Sequence, residues 1–103
     1  MITQITIKGK QHPFSYGYGA LLMLENTLGG LGKGSPLYAD LMLKFACFQE
    51  PDPSFPYTFD EFYKLLDDDI ELRKAIDETL AKQVKAWGTS KDSPEEGKKK
   101  DGA

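Results

Sequence analysis

The stretch Ile2-Thr3-Gln4-Ile5-Thr6-Ile7-Lys8-Gly9-Lys10-Gln11-His12-Pro13-Phe14 decides the fold class, because the segments after it carry helical periodicity. Five of the six residues from Ile2 to Ile7 are β-branched, which suits a pleated strand. Gly9-Lys10 has glycine first, the sequence of a two-residue type II′ loop. That loop pairs Ile7 with His12, Ile5 with Phe14 and Thr3 with Tyr16, all on one face. Pro13 has no N–H to donate, so one side of the second strand is expected to lie at an edge. The chain therefore opens as a β-hairpin with one apolar face to cover.

The cover is helical. Ala20, Leu21, Leu24 and Leu28 share one face of a short helix that Gly29-Gly30 stops. Gly32 and Gly34 keep the connection loose, and Ser35-Pro36 supplies an N-cap and a first-turn proline for the next helix. From Leu37 to Phe48 that helix is apolar almost all round, interrupted only by Asp40 and Lys44 at i, i+4. Such a helix is either the buried centre of a domain or partly covered by a partner. Residues 50–57 hold three prolines and read as an extended loop. Thr58 to Glu61 form a capping box, and Phe59, Phe62, Tyr63 and Leu66 follow on one face. Asp67-Asp68-Asp69 breaks the chain and caps a last helix, whose stripe is Leu72, Ile76, Leu80, Val84 and Trp87. After Gly88 the pattern ends.

The sequence thus predicts an α+β domain over residues 1–87: an N-terminal β-hairpin packed on about four α-helices. Residues 88–103 contain no large apolar side chain, and their four lysines balance four acids. This charged tail is expected to be disordered, since it has nothing to set against its ordering entropy. The chain of 103 residues carries a net charge of −3, all of it on residues 1–87. No internal repeat is visible.

Composition removes several function classes. An acidic chain with a pI near 5.1 does not suit a dedicated nucleic-acid binder, which needs a basic face. One cysteine excludes an intrachain disulfide framework and points to a reducing, cytoplasmic setting. No run approaches the ~18 apolar residues of a membrane span, and MITQITIKGK lacks the pattern of a signal peptide.

Each chemical motif fails at a named position. The run GGLGKGS at 29–35 has Thr27 where a phosphate loop needs glycine and Gly34 where it needs Ser or Thr. Asp67, Asp68, Asp69 and Glu71 lack the alternation and turn glycine of a calcium loop, and serve as helix-capping carboxylates. His12 and Cys47 are too few to hold zinc and lie on an inward strand face and in the most apolar helix. No catalytic, cofactor-binding or metal-binding residues are therefore assigned, and an enzyme is not expected. Phe55 and Tyr57 stand apart from the other aromatics: in a proline-rich loop they read as exposed anchors for a protein partner.

The hairpin from Ile5 to Phe14, the helix opening Tyr16-Gly17-Tyr18-Gly19-Ala20-Leu21, the acidic amphipathic segment Thr58 to Asp68 and the charged tail come in a particular order. That layout resembles the small tail assembly chaperones of long-tailed bacteriophages and related prophages, over about residues 2–85. The resemblance implies a non-enzymatic protein of the host bacterial cytoplasm. It would coat the helical tape measure protein, help recruit tail tube subunits and be absent from the finished virion. Many such proteins have a second, frameshifted form, and Gly97 to Lys100 is a stretch that slippery codons can encode. Client contacts or self-association are then expected on helix 36–48, through Tyr38, Met42 and Phe48, and on the loop, through Phe55 and Tyr57. The rival expectation is a small tail or neck subunit of the virion, or a generic interaction adaptor.

Overall fold

In the computed structural model, which describes residues 1–29 and 35–89, the hairpin and four helices form one packed unit. The strands are β1 (Thr3–Ile7) and β2 (Lys10–Phe14), the helices α1 (Tyr18–Leu28), α2 (Pro36–Gln49), α3 (Phe59–Asp68) and α4 (Ile70–Thr89). The α+β class holds. The GLGKG connection at 30–34 and the tail from residue 90 lie outside the described residues.

The strand faces are as expected, but the register is not. Ile5 pairs with His12, Thr3 with Phe14 and Ile7 with Lys10, so each β1 residue meets a partner two positions earlier than the type II′ reading gives. The turn is Lys8-Gly9, with φ of 52° and 79°. Two positive φ values in succession are the type I′ arrangement, whose twist matches that of the strands, and glycine takes its second position. A shift of two residues leaves Ile5, Ile7, His12 and Phe14 on the inner face, so the alternation of apolar residues cannot distinguish the registers. Tyr16 lies beyond β2 instead of opposite Thr3.

The helix boundaries follow local chemistry. Gly29 closes α1 in the left-handed conformation at φ 80°. The Ser35 hydroxyl accepts the Tyr38 N–H at 3.0 Å and opens α2. Both halves of the Thr58–Glu61 capping box are made, at 2.9 and 3.2 Å. Asp69 serves two helices: its N–H donates to the Leu65 carbonyl, and its carboxylate accepts the Leu72 N–H at 3.0 Å.

Helix α2 is the centre of the core. Phe48 stacks on Phe55 with centroids 4.9 Å apart and meets Phe14 and Phe62 edge-on at 5.0 and 5.7 Å. The loop that delivers Phe55 is compact, not extended. Its Ser54 N–H bonds the Asp52 carboxylate and its Phe55 N–H the Asp52 carbonyl, which turns Phe55 inward until only 7% of it is exposed. On α4 the buried line is Leu72, Ile76 and Gln83 with Leu80 partly covered, while Val84, assigned to the stripe from sequence, is exposed. The helix continues through Gly88 to Thr89.

Gln83 explains that rotation. Its Oε1 accepts the Tyr16 N–H at 2.7 Å, and its Nε2 donates to the Thr3 hydroxyl and the Phe14 carbonyl, both at 3.0 Å. One amide thus satisfies groups at the ends of both strands and locks α4 to the hairpin. Trp87, one turn on, meets Tyr16 and Tyr18 edge-on at 5.4 and 5.0 Å.

Candidate functional site

An apolar helix placed at the centre of so small a fold cannot be covered on every side. The helix–hairpin packing hides the C-terminal half of α2, where Phe45, Ala46, Cys47 and Phe48 are buried, and leaves its N-terminal half open. There Leu37 is 69% and Tyr38 39% exposed. Beside them α3 presents Phe59 and Tyr63, which its capping box and the i, i+4 spacing set one above the other. Tyr38 meets Phe59 at 5.5 Å and Phe59 meets Tyr63 at 5.5 Å, both edge-to-face. Phe45, 5.7 Å from Phe59, connects this surface to the core.

The result is an open groove of about 350 Å³ lined by Ser35, Leu37, Tyr38, Leu41, Phe59, Tyr63 and Asp67. It runs into a second depression of about 250 Å³ between α2 and α4, which shares Leu37, Leu41, Tyr63 and Asp67. At that end Lys44 reaches Asp40 at 2.8 Å and Asp77 of α4 at 2.7 Å. Burial works against the Lys44 ammonium, but its hydrogen bonds to the two carboxylates prevail and raise its pKa above the usual 10.5. The groove therefore has an apolar floor and a charged rim, the anatomy of a surface for an amphipathic helix.

The residues singled out from sequence divide. Tyr38 lies in the groove, and Tyr57 is half-buried beside His12. Phe48, Met42 and Phe55 belong to the core, at 0%, 8% and 7% exposure, so the reading of Phe55 as an exposed anchor is corrected. A proline-rich segment reads as extended, but Asp52 folds this one into a turn. Leu37, Leu41, Phe59 and Tyr63 went unassigned. For Leu37 and Leu41 the signal is the all-round apolarity of residues 37–48, which leaves one face without a partner inside the domain; Phe59 and Tyr63 carry no such signal, since their stripe reads as core-facing.

Two chemical candidates are built into packing. Burial, with Glu50 nearby, pushes the Cys47 thiol up to about 12, far from a reactive thiolate. His12 is 5% exposed, edge-on to Phe55 at 5.3 Å, with its Nε2 unpartnered among the described residues. Among those residues no three His, Cys, Asp or Glu side chains form a group able to hold a metal, and no helix is long and apolar enough to cross a membrane. No protein-family model, curated protein or solved structure matches the chain.

Proposed function

We propose that this protein is a non-enzymatic tail assembly chaperone of a long-tailed bacteriophage or prophage. It would act in the host bacterial cytoplasm on the tape measure protein and assist the recruitment of tail tube subunits. The observation that carries the reading is the open groove at Leu37, Tyr38, Leu41, Phe59 and Tyr63 on an otherwise acidic domain. A long helical client presents apolar side chains at i, i+3, i+4 and i+7, and a groove of this kind covers such a stripe while the acidic exterior keeps the complex soluble. The identity of the client comes from the resemblance of the residue layout to that family.

The test is co-expression with the long helical protein encoded beside it. The wild-type chain keeps that client soluble, and Leu37→Ser with Tyr38→Ala lowers the soluble fraction several-fold while the variant alone stays folded at the assay temperature. An equally soluble client overturns the groove assignment. Neighbouring genes unrelated to a phage tail overturn the chaperone reading, and recovery of the chain in purified particles transfers it to the virion-subunit class. A slippery heptamer at the codons for Gly97 to Lys100 adds the longer, frameshifted form.

A further inference from the structure

A second surface, sharing no lining residue with the groove, lies where the outer edge of β1 runs beside α4. In a hairpin closed by a two-residue turn, the pair flanking the turn is hydrogen-bonded and the pairs then alternate. Ile7–Lys10, Ile5–His12 and Thr3–Phe14 are therefore the bonded pairs, and the N–H and C=O groups of Gln4 and Thr6 point away from β2. No backbone group elsewhere in the described chain pairs with them. The two edges of this small sheet differ. On β2 the outward positions are Gln11 and Pro13; Pro13 has no donor, and the chain beyond it is tied down by the Ser15 N–H to the Cys47 carbonyl at 2.9 Å. On β1 both outward donors remain.

That open edge forms one wall of a cleft of about 380 Å³. The opposite wall is a stripe of α4 from Glu71 to Lys82, in which Ala75 and Thr79 are small and half-buried. The stripe is about 16 Å long at 1.5 Å per helical residue, the length of about five residues of extended chain. Its charge selects the occupant: among the described residues that line the cleft, Asp69, Glu71 and Glu78 stand against Lys82 as the one cation. The β1 strand of a second copy, Thr3–Ile7, has no cationic side chain to set against these carboxylates.

We propose that this cleft takes an extended peptide segment of a partner protein, bearing lysine or arginine, as a third strand on β1. Its backbone pairs with Gln4 and Thr6, and its cationic side chains meet Glu71 and Glu78. This site is independent of the apolar groove.

The experiment uses the full chain and two labelled peptides with the same alternating threonine–valine pattern, one carrying lysines and the other glutamates. Binding is followed by fluorescence anisotropy and mapped by amide chemical shifts. The lysine peptide is expected to bind at least tenfold more tightly and to shift the Gln4 and Thr6 amides. Glu71→Lys with Glu78→Lys reverses the preference. Thr6→Pro removes an outward donor, as Pro13 does on β2, and abolishes binding; if it fails to fold, the charge-reversal pair decides the matter. Equal affinity for the two peptides, unchanged binding by folded Thr6→Pro, or shifts confined to the Leu37–Tyr38 groove overturns the proposal. So does self-association that Thr6→Pro removes, which makes a second copy the occupant. A tenfold gain in peptide affinity on replacing Lys98, Lys99 and Lys100 with alanine also overturns it, since the chain's own tail then fills the cleft.

Discussion

Gln83 is 2% exposed, and its amide satisfies the Tyr16 N–H, the Thr3 hydroxyl and the Phe14 carbonyl at once. Gln83→Leu keeps the volume near the same and leaves those groups without their partner, so it is expected to cost about 2–3 kcal/mol in a denaturant titration. Phe55→Ala removes a ring that touches Phe45, Phe48, Phe62, His12 and Tyr57, and is expected to cost about 3–5 kcal/mol. That variant reports on folding, not on partner binding. Cys47 gives a pH prediction with a definite sign. Its native pKa of about 12 stands above the ordinary 9.0, so the folded state holds the proton longer than the unfolded one. Its contribution is complete below about pH 9 and is lost as the pH rises toward 12. Cys47→Ala should flatten the alkaline fall in stability, and the wild-type thiol should resist alkylation at pH 8 until the chain is unfolded.

Among the elements, α3 and α4 owe their separation to Asp69, which closes one helix and opens the next. Asp69→Ala should therefore destabilise the domain by about 1–2 kcal/mol, against about 1 kcal/mol for Thr58→Ala, which removes one cap. Thermal melts of the two variants make the comparison directly. Lys44 links α2 to α4 through two half-exposed carboxylates, a geometry in which the ion pairs add little to stability at neutral pH. Because its pKa is raised, what it adds is present below about 10.5 and lost above, in the same direction as Cys47. The capped ends and the helix count are legible because each rests on residues within four positions of one another, and the hairpin because two alternating segments flank a glycine turn. The register was not legible, because the turns at Lys8-Gly9 and Gly9-Lys10 put the same residues on the same faces.

For the whole molecule, the three other helices and the hairpin leave part of the largely apolar α2 uncovered, and that part becomes the groove. Leu37→Ser with Tyr38→Ala removes exposed side chains and the Tyr38–Phe59 edge contact, and should cost no more than about 0.5–1.5 kcal/mol. The same pair should lower any self-association, read as molar mass by light scattering over a range of concentrations. Half of this surface could be read from sequence, since the apolarity of residues 37–48 announces a face in need of a partner. Its other half comes from α3, where the stripe Phe59, Phe62, Tyr63 and Leu66 looks uniformly core-facing. Only packing divides it, burying Phe62 and Leu66 and leaving Phe59 and Tyr63 along the groove.

The sequence by itself determined the strand faces, the four helices and their caps, because side-chain periodicity and capping are local. Tertiary structure decided the hairpin register, the inward turn of Phe55, the rotation of α4 and the position of the groove. Each depends on groups far apart in the chain. The Gln83 contacts join residues 67, 69 and 80 positions away, and their worth comes from the water excluded when α4 closes on the hairpin. No pattern within a single helix records that closure.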